Sequence, residues 1–380
     1  MRMVIRQFWI DCIEAVWKKR SIVWLTGVRR AGKTTLCRDL SDIDYFDCEL
    51  PRNRKLLEDP EGFLKEYNGR RIALDEIHRL RNPSELLKIA ADYFPKTLII
   101  ATGSSSLSAS KKFSDTLTGR KLEIHLSPIN SLDMNDFKKP SLPHRLHFGG
   151  LPPFFLADSF PEPYFQEWID SFWAKDIQEI FGLQKREAFQ KFFELIFVNS
   201  GGIFEATSFA ASCEINRATV NHYLNVLTET SIARIVRPFS KHKPSEITRA
   251  PKIYGFDTGF VCFFKGWAQL RPDDFGILWE HFVLNEMMSR LQTITVSYWR
   301  TKQKKEIDFI VTKRSGEIFA IECKWKYRQV DTSAFAEFSR YYPSAKLIVV
   351  AQDVERPFKQ KKGNIELSVV SLEGLLKLLF

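Results

Sequence analysis

The stretch SIVWLTGVRRAGKTTLCRDL, Ser21 to Leu40, passes from an apolar run through two glycines, a lysine and a threonine at fixed spacing into a second patterned segment. Ile22 to Leu25 reads as a short strand, and TLCRDL, from Thr35, as a helix. Between them, Gly27 and Gly32 let the backbone curl so that its N–H groups and the helix N-terminus face a phosphate. Lys33 is then placed to reach the β- and γ-phosphates, and Thr34 to ligate Mg²⁺. Arg30 and Thr35 belong to the same loop and count as further candidate phosphate contacts.

A loop of this kind needs an acid at the end of a neighbouring strand. RRIALDEIHRL supplies one: Ile72-Ala73-Leu74 is a short apolar run ending at Asp75-Glu76. Asp75 suits the Mg²⁺ role and Glu76 the activation of an attacking water; a helix N-cap acid is the plainer alternative. A third strand, TLIIATGSSSL, ends in Thr102-Gly103-Ser104-Ser105, where Ser104 is a candidate to sense the γ-phosphate, though a serine-rich turn is equally ordinary. In SDTLTGRK, Arg120 follows Gly119 in a loop from which a guanidinium reaches a transferred phosphoryl group in the same subunit or in a neighbouring one. The second case implies a homo-oligomer.

The 380 residues, 44% of them hydrophobic, suffice for two or three domains, each with its own core. No apolar run has the length of a membrane span, and Asp11 and Glu14 fall where a signal peptide needs an uncharged core, so we expect a cytoplasmic protein without membrane contact. Six cysteines with no CxxC pair suggest neither a zinc site nor a disulfide framework. The net charge of +10 is unevenly placed: residues 231–380 hold 25 Lys and Arg against 16 Asp and Glu, including KQKK at 302–305 and again at 359–362. Such an excess suits a part that meets phosphate backbones, so nucleic acid, DNA above all, is the expected partner; lysines kept for solubility are the bland alternative.

GGLPPFFLADSFPEPYF, from Gly149, is rich in proline and aromatic residues and reads as a domain boundary. Beyond it, FEATSFAASCEINRATVNHYLNVL gives a short helix, a turn around Cys213 to Asn216, and a second helix with Val220, Tyr223, Leu224 and Leu227 on one face. That is a helix-turn-helix pattern, with IARIVRPFS as a wing strand. Only Arg217, Asn221 and His222 are candidates to face a groove, so DNA reading and a purely interdomain role both stay open.

KKEIDFIVTKRSGEIFAIECKWK reads as two strands joined by a turn, with Asp308 in the first and Glu322-Cys323-Lys324 in the second. Residues i and i+2 of a strand share a face, so Glu322 and Lys324 point together. Asp308 on the paired strand joins them, and Glu280 in the helix GILWEHFVLNEMMSR is a fourth polar group. Asp308, Glu322 and Glu280 are thus candidate Mg²⁺ ligands and Lys324 a candidate catalytic residue acting on water, as in the PD-(D/E)xK nuclease signature. Cross-strand salt bridging gives the same pattern.

The order GVRRAGKTTL, LDEIHRL, IIATGSSSL, LTGRKLEIHLSPINSLDMNDF, HFGGLP, PKIYGFDTGF, WEHFVLNEM, EIDFIV and IECKW resembles the AAA-type ATPases of bacteria and archaea that carry an uncharacterised conserved domain in the C-terminal half, over nearly the whole chain. The resemblance implies an α/β fold in three parts: an N-terminal AAA+ P-loop NTPase with a parallel sheet (1–150), a helical and winged-helix middle (151–245), and a C-terminal restriction-endonuclease-like α/β domain (246–380). It implies ATP and Mg²⁺ as cofactors, Asp75 and Glu76 as the Walker B pair, Ser104 or a neighbour on the sensor strand, and Arg120 as arginine finger. His78 departs from it, because members usually carry glutamine there. The function expected is ATP hydrolysis coupled to nucleic-acid engagement, with or without nuclease activity; a DNA-binding regulator with an inactive nuclease fold and a protein-remodelling switch are the alternatives.

Overall fold

Five short segments form five parallel strands: β1 (Ile22–Thr26), β2 (Ile43–Asp47), β3 (Arg71–Asp75), β4 (Leu98–Thr102) and β5 (Lys121–His125), in the spatial order β2-β3-β4-β1-β5. They belong to a computed structural model that describes residues 4–103, 116–178, 181–183, 185–240 and 250–380. A parallel sheet is covered on both faces, which is why its inner strands read as unbroken apolar runs rather than alternating ones. Ile22, Val23, Trp24 and Leu25 are all fully buried. The helices Pro60–Glu66 and Pro83–Tyr93 contribute Phe63, Leu64, Leu86, Leu87 and Ala90 to the core on one face. Because β4 lies between β1 and β3, the loop after β1 and the acid ending β3 open at the same carboxyl edge of the sheet, where open α/β sheets bind ligands.

Packing divides the chain into two compact units. The first takes residues 1–142, 150–184 and 229–232; the second takes 143–149, 185–228 and 233–380. Each unit is assembled from segments that are not contiguous in the chain. The helix Glu162–Phe172 buries Phe165, Trp168, Ile169 and Phe172, and the Trp168 indole donates to the carbonyl of Arg29 at 3.1 Å, which joins this segment to the P-loop unit.

The second unit is built on a mixed sheet of eight strands. To β6 (Ala233–Pro238), β7 (Lys252–Gly255), β8 (Val296–Arg300), β9 (Glu306–Thr312) and β10 (Ile318–Lys324) it adds β11 (Lys346–Ala351), β12 (Phe358–Lys362) and β13 (Ile365–Val370), in the order β12-β13-β11-β10-β9-β8-β6-β7. The strand pair expected around Gly316 is present: β9 and β10 run antiparallel, and Gly316, at φ +87°, closes the turn by donating to the carbonyl of Lys313. The helix Asp274–Leu291 buries residues around most of its circumference, including His281, Asn285 and Glu286. The helices Ala206–Cys213 and Arg217–Glu229 meet at Glu214, which takes a left-handed backbone at φ 55°; Arg217, Asn221 and His222 are exposed, and Tyr223 packs on Phe189 and Phe192. The expected wing, β6, is no free hairpin. It pairs antiparallel with β7 and, through Arg237 and Pro238, parallel with β8, so it is continuous with the large sheet.

Two of the glycine-bearing motifs are places of close backbone approach. A Cβ on Gly149, at φ +82°, would lie 2.0 Å from Asp257 Oδ1, and one on Gly259 would lie 2.6 Å from the carbonyl oxygen of Phe148. Beside them the buried Arg145 guanidinium is 3.5 Å from Asp257 and donates to Thr258 Oγ1 at 3.1 Å. HFGG and FDTG therefore dock on each other, and the small residues are required by that contact. All six cysteines are free and five are buried. No described helix is long and apolar enough to cross a membrane.

Candidate functional site

The loop Gly27–Gly32 leaves β1 and enters the helix Lys33–Asp39. Gly27 is at φ +139°, and a Cβ there would sit 2.4 Å from the carbonyl oxygen of Leu126; Gly32 is at φ +101°. Both positions demand glycine, the first by contact and both by backbone conformation. The curled loop turns Lys33 back on itself, and its Nζ donates to the carbonyls of Gly27 at 2.8 Å and Val28 at 3.2 Å. Burial lowers the pKa of this ammonium, against the pull of Glu76, Asp176 and Asp75. Thr34 and Thr35 are exposed at the start of the helix.

Asp75 is the hub of the site. It accepts from Thr34 Oγ1 at 2.7 Å, from the Tyr45 hydroxyl at 2.7 Å, and from Thr102 Oγ1. The same Thr102 oxygen accepts from the backbone N–H of Glu76 at 3.0 Å. The helix Lys33–Asp39, β2 and β4 thereby fix one carboxylate, and Tyr45, which the sequence did not single out, is held with its pKa raised by burial and by Asp75. Glu76 occupies the left-handed region at φ 53°, uncommon for a residue other than glycine. His78 Nδ1 is 3.2 Å from its Oε2. Burial alone would raise the Glu76 carboxyl; the His78 contact and the charge of Lys33 outweigh it and leave the pKa below the usual carboxylate value.

These groups border a cavity of about 860 Å³ within the first unit, lined also by Arg29, Arg30, Asp176 and the apolar Val4, Phe137, Pro152 and Leu156. The size and the mixture of polar and apolar lining residues suit a nucleotide. The structure brings together Gly27, Arg30, Gly32, Lys33, Thr34, Thr35 and Glu76 as lining residues, with Asp75 behind them. Arg30, at φ 61°, forms an ion pair with Glu167. Arg120 does not line the cavity; its guanidinium forks onto Asp92 at 2.7 and 3.0 Å. Ser104 lies outside the described residues.

In the second unit, Asp308, Glu322, Lys324 and Glu280 are also neighbours. Lys324 Nζ is 2.8 Å from Glu322 Oε1, and Asp308 Oδ2 accepts from the backbone N–H of Cys323 at 2.7 Å. Burial, then the proximity of Glu280 and Glu322, pushes the Asp308 carboxyl well above its usual value, and burial raises Glu322 as well. The residue missed by sequence reasoning is Lys252 on β7. Its buried ammonium lies 3.2 Å from Glu280 and 2.5 Å from Glu306, and Tyr254 donates to Glu280 at 2.5 Å. Glu280 and Glu306 are thus held around an internal cation, while Glu322 pairs with Lys324. Among the described residues no group of three or more His, Cys, Asp or Glu side chains is spaced to hold a metal ion.

A glycine loop on a parallel sheet, its lysine, and a strand-end Asp-Glu pair around a nucleotide-sized cavity define a P-loop ATPase domain of the AAA type. In agreement, the family description of an AAA domain matches residues 19–134; descriptions of two domains of unknown function, DUF8612 and DUF4143, match 139–271 and 275–371. Over 314 residues the chain is 30% identical to uncharacterized protein Rv2008c of Mycobacterium tuberculosis, an alignment covering 80% of this chain and 70% of that one. The chain belongs to the family of that mycobacterial protein. It is also similar to uncharacterized protein MJ1544 of Methanocaldococcus jannaschii, 22% identical over 330 residues, covering 78% of this chain and 73% of the other. Among solved structures it is similar to the Walker-type ATPase PABY2304 of Pyrococcus abyssi, at 16% identity and a TM-score of 0.41, covering 69% of this chain and 96% of that chain.

Proposed function

We propose that this protein binds and hydrolyses ATP with Mg²⁺ and uses the nucleotide state to control engagement of nucleic acid, DNA by preference, through its basic C-terminal half. The observation that carries the first part is the convergence of Lys33, Thr34, Asp75 and Glu76 on one cavity edge. The residues fit the cofactors: the glycine cradle leaves backbone room for phosphate, and Thr34 and Asp75 are the oxygen donors that would hold Mg²⁺. When bound, Mg²⁺ neutralises charge on the β- and γ-phosphate oxygens. Lys33 exchanges its two carbonyl partners for those oxygens. Glu76, ionised at neutral pH, accepts a proton from the attacking water, and the His78 contact fixes where its carboxylate points.

The second part is supported by the charge excess of residues 231–380. Lys302, Lys304, Lys361 and Lys362 are exposed, whereas Lys305 and Lys359 are ion-paired with Glu337 and Glu366. We expect the intact protein to bind duplex DNA with log affinity falling linearly in log salt. Contact with about four phosphates corresponds to a loss of roughly a hundredfold between about 50 and 200 mM salt. Fluorescence anisotropy over that range checks it. A salt-insensitive or absent interaction returns the lysines to a solubility role and favours a protein-remodelling switch.

A second reading, metal-dependent cleavage by Asp308, Glu322 and Lys324 with Glu280, rests on the placement of Asp308 on β9 beside the Glu322–Lys324 pair on β10. Nicking of plasmid DNA in Mg²⁺ or Mn²⁺, lost in Asp308→Ala while ATP hydrolysis persists, would establish it. Without nicking by the wild type, the cluster is a salt-bridged network closed by Lys252 and the domain is a binding module.

A further inference from the structure

The nucleotide cavity contains an ion pair that the P-loop reading leaves unused. After the helix Glu162–Phe172 the chain widens into a π-helical stretch, Trp173–Gln178. Such turns are rare and often occur at functional positions. Here Trp173 and Ile177 are buried, while Lys175 and Asp176 line the cavity. Asp176 Oδ2 meets Arg29 Nη1 at 3.3 Å, with the two side chains only 20% and 29% exposed. Arg29 is the third residue of the loop Gly27–Gly32, and the Trp168 indole anchors its backbone carbonyl.

The position of this pair along a bound nucleotide follows from its neighbours. Arg29 and Asp176 both lie close enough to Lys33 to bias its charge, and Arg29 does the same to Glu76. Glu76 is the group placed to activate water, so the pair is at the terminal-phosphate end of the cavity. A guanidinium is a bidentate partner for phosphate as readily as for carboxylate. Two anions competing for one guanidinium at this range repel, and the triphosphate carries the larger charge.

Building on the nucleotide-binding reading, we propose that Arg29 is a ligand of the terminal phosphate of ATP and that Asp176 is its positioning residue, holding the guanidinium until the γ-phosphate takes it over. A diphosphate does not reach Arg29, so the Arg29–Asp176 pair persists with ADP. The exchange makes the site selective for the triphosphate, and it releases the Trp173–Gln178 stretch only when ATP is present.

The test is a titration of the full-length wild type, Arg29→Gln and Asp176→Asn, all in Mg²⁺, with a non-hydrolysable β,γ-imido analogue of ATP (to prevent turnover) and with ADP, by isothermal calorimetry. Arg29→Gln should weaken ATP about tenfold or more and change ADP less than about twofold. Asp176→Asn, which keeps size and a polar head, should tighten ATP several-fold and leave ADP unchanged, because it removes the competing anion. Equal effects on both nucleotides in Arg29→Gln, or no change for ATP in Asp176→Asn with an unaltered melting temperature, overturn the proposal. If either variant is poorly folded, Arg29→Lys decides: loss of ATP selectivity with the charge kept supports a bidentate phosphate contact, and retained selectivity in a folded Arg29→Lys refutes it. A wild type that binds neither nucleotide removes the underlying reading as well; one that binds both with unaltered variants removes the proposal alone.

Discussion

Replacing Lys33 with alanine should weaken ATP binding by about a hundredfold, measured by isothermal calorimetry or with a fluorescent nucleotide. The ammonium is already stripped of much of its water, which is what lowers its pKa, and only two backbone carbonyls hold it. Exchanging those neutral acceptors for phosphate oxygens is favourable, because hydrogen bonds between charged groups contribute about 1.5–3 kcal/mol against about 1 for neutral ones. The alanine variant loses that exchange and also leaves the carbonyls of Gly27 and Val28 facing an anion. Since the hydrogen bonds of Lys33 Nζ go to carbonyls of its own loop, the melting temperature should change little. An unchanged affinity would mean that the glycine loop holds something other than nucleotide phosphates.

Glu76→Gln separates binding from chemistry. The amide preserves volume and can still meet His78, and Asp75 with its Thr34, Tyr45 and Thr102 partners is untouched. Nucleotide affinity should therefore stay near that of the wild type. What disappears is the basic oxygen, and hydrolysis should fall by at least about a hundredfold, read as phosphate release under saturating ATP. A variant that turns over at the wild-type rate would make Glu76 a structural residue whose left-handed backbone serves the turn after β3 and nothing more.

The P-loop was legible because its parts are contiguous: strand, glycines, lysine and threonine sit within fifteen residues, and the geometry of that short stretch is dictated locally. Asp75 and Glu76 were legible for a related reason, since a short apolar run ending in two acids announces a strand end. Tyr45 and Asp176 were not. Each reaches the site from a different segment, and neither tyrosine in a half-buried strand nor aspartate in an amphipathic helix carries a local pattern that separates it from ordinary surface chemistry. Lys252 shows the same limit most sharply. In PKIYG it looks like a solvated lysine before a strand, and only the register of β7 against β6, with Glu280 and Glu306 arriving from a helix and from β9, makes it the buried cation of a carboxylate cluster. The sheet as a whole was half visible. Alternation identified β9 and β10, but the long-range parallel pairing of β6 with β8 depends on contacts some sixty residues apart, which no local period encodes.

The backbone passes from one compact unit to the other five times, after residues 142, 149, 184, 228 and 232. Neither unit is therefore a severable piece of polypeptide. A fragment beginning near residue 235 would carry the eight-stranded sheet almost whole yet lack residues 143–149, whose Arg145 is the buried partner of Asp257, and the three-helix cluster of residues 185–228. Removing one side of such a pair leaves a charge buried alone, among the most destabilising changes a core can suffer. Recombination would meet the same obstacle, because a junction at any of these five crossings would divide at least one of the two units.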